Sequence, residues 1–335
     1  MDQICVIGYP SRLGGADTEL DHQIRCWQAL GLQVHLLHTG CLDSNLLAMR
    51  MEERGCVVHE PRNWAACRGM HAISYCNAEF LKNLVEIKGY ARSTTFVNCM
   101  TWTFEAERNA HRQGLIDHFL YQTEHARLRV QPELVAINPS YRWFQVRPYF
   151  HAADFPFIQD RAEDCFRFGR ISRDDPGKYH QAQLWVYESM VSPVLKSGTI
   201  LGINDEIRKK IGNEPNWIKA YGAGEITAQE LYAKSACIIQ MADTYENLPR
   251  VGFEAMASGS LLIVDDRGGW RELVMHKQTG YLCKDQREFV YYATRAAFEV
   301  EERRQMAANA RDWLNTHWGL EQAKAEWSRF FSEIE

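Results

Sequence analysis

Short apolar runs rich in β-branched residues alternate with helix-spaced stretches along almost the whole chain, and this alternation limits the fold more than any other feature. A brief, nearly continuous apolar run reads as a strand buried on both faces, and a helix between two such strands returns the chain to run parallel. Ile4-Cys5-Val6-Ile7-Gly8-Tyr9-Pro10 is the first run. Helical spacing follows through Leu20, Ile24, Trp27 and Ala29, Gly31 stops it, and Val34-His35-Leu36-Leu37-His38 is the second. The same reading predicts helices around 44–54, 78–87, 104–113 and 123–128, and strands at 56–59, 94–100 and 116–121. From 138 to 156 three prolines and several aromatics interrupt the pattern, as an inter-domain connection would. Alternation then resumes. Strands are expected at 165–168, 199–203, 217–220, 236–241, 261–264 and 281–283. Helices are expected at 182–191, 205–211, 228–234 and 270–275, with two more in the tail from 288 to 334. The expectation is an α/β protein of two Rossmann-like domains, 1–150 and 151–320, facing each other across a cleft, with a C-terminal helix in 321–335 packing back toward the first domain.

At 335 residues the chain has ample length for two cores. No stretch approaches the roughly 18 apolar residues of a membrane span. The start, Met1-Asp2-Gln3-Ile4, has no basic region before its apolar run and reads as a first strand, not a signal peptide. Ten cysteines are scattered without a C-x-x-C pair, so buried thiols in a reducing, cytoplasmic setting are expected in place of disulfides or zinc. Residues 1–150 hold 15 basic and 15 acidic side chains, and the net charge of −5 arises in the remainder. That balance gives no basic block to demand nucleic acid and no basic amphipathic stretch to demand a membrane.

Ligands of parallel α/β sheets sit at the carboxyl ends of strands, which makes Gly8-Tyr9-Pro10 and Cys99-Met100-Thr101-Trp102 candidate pocket walls. The densest concentration of polar chemistry lies at 245–259. Pro249 suits the first turn of a helix, where a missing N–H is no loss, and Gly259 suits the left-handed position that ends one. Glu254 then falls inside the helix and Glu246 in the loop feeding it. A loop carboxylate, the unpaired N–H groups of a helix start and a second carboxylate one or two turns on suit a ligand with both hydroxyls and phosphates.

Phe168-Gly169-Arg170-Ile171-Ser172-Arg173, then Glu246-x7-Glu254, then Gly268-Gly269-Trp270-Arg271-Glu272 and Thr279-Gly280-Tyr281-Leu282 occur in order, preceded by a strand, Gly14-Gly15 and a helix near the start. This set resembles the family-four group (glycosyl transferases group 1) of retaining, nucleotide-sugar-dependent GT-B glycosyltransferases. The resemblance implies a hexosyltransferase-like enzyme with a UDP- or GDP-sugar as co-substrate. It implies that Glu254 holds the ribose hydroxyls and Glu246 lies against the transferred sugar. The backbone of Asn247 and Leu248 would meet sugar and phosphate. Arg170 would neutralise the diphosphate with Lys178, which stands eight residues on where the family has a shorter spacing, and Arg173 would share that task. Gly14 and Gly15 would close over the phosphates. No Asp-x-Asp occurs, and neither Asp174-Asp175 nor Asp265-Asp266 has metal-site company, so no metal is expected and no cofactor beyond the nucleotide sugar.

The acceptor is not legible. A glycan, a lipid-linked sugar or a small metabolite fits. So does a hydroxymethylated base in DNA, given the arginines at 108, 112, 127, 129, 142 and 147, although no lysine cluster accompanies them. A nucleotide-sugar epimerase or hydrolase, or a non-catalytic binding protein, on the same fold are the competing readings.

Overall fold

In the computed structural model, which describes residues 1–8, 15–37, 39 and 51–335, the strands pair only in parallel and form two sheets. Tyr9, Pro10, Gly14, His38 and most of the helix expected at 44–54 lie outside the described residues. The first sheet contains β1 (Gln3–Ile7), β2 (Gln33–Leu37), β3 (Val57–His59), β4 (His71–Tyr75), β5 (Ser93–Val97), β6 (His118–Tyr121) and β7 (Trp143–Gln145), in the order β3-β2-β1-β4-β5-β6-β7. The second contains β8 (Cys165–Ile171), β9 (Leu195–Leu201), β10 (Ile218–Tyr221), β11 (Cys237–Gln240), β12 (Leu261–Asp265) and β13 (Gly280–Cys283), in the order β10-β9-β8-β11-β12-β13. Each is the doubly wound order, with helices between most consecutive strands among the described residues and a reversal of direction, here at β1/β4 and at β8/β11.

The chain divides into two units, one of Met1–Phe150 with Trp318–Glu335 and one of His151–His317. In the second, β11 and β12 are buried along their whole lengths and are apolar except at their last residues, Gln240 and Asp265. In the first, the helix Leu320–Ile334 lies against the helix Gly15–Ala29. Trp327 meets Trp27 edge-on with ring centres 5.0 Å apart, and its Nε1–H donates to Gln23 Oε1 at 3.0 Å. Gln23, fully buried, also bonds the backbone of Tyr149 through both ends of its amide. Buried cysteines, among them Cys26 and Cys237, behave as small apolar residues, burial pushing both thiols up to about 12.

Four expectations needed correction. The strand β4 is central in its sheet yet was not expected. Its sequence, His71-Ala72-Ile73-Ser74-Tyr75, has polar groups at buried positions, His71 Nδ1 meeting Ser93 Oγ at 2.5 Å. The strand β7 lies inside the stretch read as a connector and adds an edge to β6. The helix expected to stop near 128 runs from Glu124 to Ile137 through Pro132. Leu128, whose carbonyl that proline leaves unpaired, is well exposed, so water can serve it. The tail holds three helices, Gln286–Phe298, Val300–His317 and Leu320–Ile334, where two were expected. Among the described residues no helix is long and apolar enough to cross a membrane.

Candidate functional site

The reversal of strand order at β8/β11 opens the second sheet at its carboxyl edge, the place where doubly wound sheets take ligands. Lys178 follows β8 and Glu246 follows β11, so the fold carries them to the same point from opposite sides of the reversal. Their side chains meet, Lys178 Nζ donating to Glu246 Oε2 at 2.7 Å, with both largely buried. Lys178 closes a short turn at Pro176–Lys178, where the Asp175 carboxylate accepts the Gly177 N–H at 2.8 Å. The Gly177 carbonyl in turn accepts from the N–H groups of Asp243 and Thr244 and from Thr244 Oγ1, tying the Lys178 turn to the Glu246 loop.

Glu246 and Asn247 are held from behind by a glycine pair. Gly269 N–H donates to the Glu246 carbonyl at 2.9 Å, and Gly268 takes φ +58°. A Cβ on Gly269 would stand 1.5 Å from the Asn247 carbonyl oxygen, so the two backbones approach to a distance only glycine allows. The helix Arg250–Ser258 then starts after Pro249. In its first turn the Gly252 N–H donates to the Pro249 carbonyl at 2.8 Å, and a helix start carries partial positive charge that favours an anion. Pro249 takes the cap position itself, one residue before the first turn where its fixed φ was expected to lie.

Gly259, at φ +76°, ends the helix as expected. Beyond it two arginines gather the last carbonyls. Arg161 donates to Ile158, Ser258 and Gly259, and Arg311 to Ala257. Cations at that end match the helix dipole and the unpaired carbonyls there. Gly252 leaves room for Trp270 and Leu273, whose side chains would lie 2.7 and 2.5 Å from a Cβ at that position. The motif glycines thus serve packing that aims the loop.

Glu254 is buried one turn into the helix, with Tyr232 Oη donating to its Oε2 at 3.0 Å. Burial pushes its carboxyl up to about 7, against the pull of Arg250 and of the Tyr232 hydrogen bond. Asp265, at the carboxyl end of β12, accepts the Ala242 N–H at 2.9 Å, and burial pushes it up to about 6.

The structure therefore brings Arg170, Lys178, Glu246, Asn247, Leu248 and Glu254 to one edge of one sheet. Arg173 is exposed on the turn after β8. Gly15 opens the helix Gly15–Ala29 in the other unit, and Gly14 lies outside the described residues. Arg170 itself sits entirely below the surface. Tyr232, Gln183 and Asp265 belong to the site and were not singled out from sequence. Tyr232 stands 22 residues from Glu254 and Gln183 stands 13 from Arg170, and no local pattern marks such pairs.

Residues 204–313 match the family model described as glycosyl transferases group 1. Solved structures align over nearly the full length of both chains. HepE of Anabaena in complex with UDP-glucose shares 14% identity at a TM-score of 0.73, covering 99% of each chain. TarM shares 11% at 0.79, also covering 99% of each. The sucrose-phosphate synthase of Thermosynechococcus elongatus shares 13% at 0.76, covering 100% of this chain and 99% of its own. The chain has the GT-B fold. Among curated proteins no significant match is found. Within the GT-B fold, the matched segment runs from the end of β9 into the helix Val300–His317 and includes Glu246, Glu254 and the Gly268-Gly269 pair.

Proposed function

We propose that this GT-B chain transfers a sugar from a nucleoside-diphosphate sugar, with UDP as the first candidate, to an acceptor hydroxyl with retention of anomeric configuration and without a metal. The observation that carries the reading is the Lys178–Glu246 pair, set at the β8/β11 reversal beside the start of the helix Arg250–Ser258. Cleavage of the anomeric C–O bond leaves negative charge on the diphosphate and oxocarbenium character on the sugar. Lys178 and the positive end of the helix Arg250–Ser258 stabilise the former in a largely buried setting, where such charges interact strongly. Glu246 orients the sugar through its hydroxyls, and Glu254 with Tyr232 receives the ribose. The new bond forms from the acceptor oxygen to the anomeric carbon, and the acceptor proton passes to a diphosphate oxygen. In this reading Lys178 and the helix start carry the positive charge that a divalent ion would otherwise bring. The UDP-glucose complex of HepE supports UDP as the first nucleotide to test.

A small or saccharide acceptor is favoured over a DNA duplex. A duplex needs cations free for its phosphates. Arg108, Arg127 and Arg147 instead pair with Glu133, Glu124 and Glu326, and Arg112 donates to Asn109.

A thermal-shift panel of UDP, GDP, ADP and their sugars tests the donor. The melting temperature should rise with the cognate nucleotide by mass action. UDP release should then depend on acceptor, persist in EDTA, and give a product whose anomeric configuration, read by NMR, matches the donor. A flat panel across all three nucleotides would defeat the reading.

A further inference from the structure

We infer that the first unit holds an acceptor site for an alcohol with an apolar body, in a cavity at the carboxyl edge of its sheet. The inference rests on the transfer reading above and narrows the class of acceptor which that reading left open.

The cavity, about 400 Å³ in volume, lies between the helices Ala78–Lys82 and Glu105–Arg112. Cys76, the residue after β4, and Phe104, which precedes the second helix, form part of its wall, and Leu81 is the most buried of its lining residues. Ala78 and Ala106 line it from the two helices and end at Cβ, which leaves the space open. The polar lining residues, Glu105 and Asn109, are both exposed, so polar groups sit where the cavity meets water. Such a lining suits a ligand whose apolar body enters and whose hydroxyl stays at the mouth, since a hydroxyl buried without a partner is costly. A cavity of ~150 Å³ takes benzene. This one has room for an aryl group or a medium-length alkyl chain.

Its place in the fold is that of a substrate site. β4 flanks the β1/β4 reversal, and doubly wound sheets take ligands beyond the carboxyl ends of the strands there. Asn77, next to Cys76, packs across the reversal, for a Cβ on Gly8 at the end of β1 would lie 2.6 Å from its side chain.

The wall is held by its own hydrogen bonds. After β5 the chain turns through Cys99-Met100-Thr101-Trp102, one of the stretches expected from sequence to line a pocket. Asn98 Oδ1 accepts the Met100 N–H at 2.8 Å, and Nδ2 donates to the Trp102 carbonyl at 3.0 Å and to Glu107 at 3.1 Å. Glu107 accepts the Phe104 N–H at 2.9 Å, fixing the start of the helix that carries Ala106. Cys76 Sγ accepts the Cys99 N–H at 2.8 Å and ties the end of β4 to the same loop. A pocket already held in this way loses little freedom on binding and keeps more of the free energy of covering carbon.

Matched acceptors test the inference. With the donor that the thermal-shift panel identifies, nucleotide release by the full chain is measured for methyl against octyl glucoside and for glycerol against 1-O-octylglycerol, all below their aggregation concentrations. Each methylene that enters the cavity should raise kcat/KM roughly fourfold, so the octyl compound should win by at least about tenfold in each pair. Ala106→Phe fills the cavity and should bring both ratios near one, with cooperative melting as the check on folding. Should it not fold, Ala78→Phe does the same from an exposed position on the other helix. Where none of these compounds is turned over, their calorimetric affinities for the nucleotide-bound protein replace kcat/KM in the ratios. Ratios near one in wild type would overturn the inference, and so would ratios that filling the cavity leaves unchanged. Wild-type protein that binds no nucleotide would instead defeat the donor reading, an outcome distinct from flat ratios in a chain that binds UDP.

Discussion

Among the described residues, the carboxyls of Glu107 and Glu254 are both pushed up to about 7, by the same physics and to different ends. Glu107 is fully buried in the first unit, accepting from Asn98 Nδ2 at 3.1 Å and from the Phe104 N–H at 2.9 Å, and burial pushes it up to about 7. The folded-state value lies above the free value of 4.5, so the folded state keeps a proton that the unfolded chain gives up first. Stability from this group is full below the unfolded value, declines between pH 4.5 and about 7, and levels off above. The decline amounts to at most about 3 kcal/mol. Denaturant unfolding at pH 5 and pH 8 should show that drop in wild type and a smaller one in Glu107→Gln. Glu254 reaches the same value beside Tyr232, at the edge proposed to bind the donor. A ribose hydroxyl is accepted best by the ionised form, so nucleotide affinity should rise from pH 6 to pH 8. Glu254→Gln should bind more weakly at pH 8 and show no such rise by calorimetry.

Among the elements, the turn at Gly268-Gly269 has the narrowest tolerance. Gly269→Ala places a methyl against the Asn247 carbonyl, and one backbone must move. The variant should lose about 1–3 kcal/mol in denaturant unfolding, the usual range for an overpacked site, and should lose affinity for UDP-sugar more than for UDP. Wild-type affinity for both would show that the Glu246 loop is not aimed by this contact. Element legibility followed burial. The strands β11 and β12 are apolar up to their last residues, Gln240 and Asp265, and were readable. The strand β4 was not, because His71 and Ser74 are buried polar residues in a run too short for periodicity to decide.

For the whole molecule, the chain leaves the second unit at His317 and completes the first with its last helix. Trp327 is the anchor, 1% exposed and packed against Trp27, Phe330 and Phe331. Trp327→Ala should cost about 3–5 kcal/mol, a typical value for removing a buried aromatic, and calorimetric melting should report it. A loss below about 1 kcal/mol would mean that the helix contributes little to the first core.

The sequence by itself determined the α/β class and the presence of two Rossmann-like halves, and it put Glu246 in a loop and Glu254 in the helix after it, because buried strands, helix ends and motif glycines are local facts of composition and spacing; Lys178 stood out only through the family resemblance. Only the tertiary structure decided what those residues touch. The Lys178–Glu246 pair spans 68 residues and exists because two strands on either side of a reversal end at the same edge. The burial of Arg170 is likewise invisible in its own segment, since Gln183 and Tyr179 enclose it only once the helix after β8 has packed. Spacing along a chain assigns a residue to an element, whereas depth and partners are set by the packing of elements far apart in sequence.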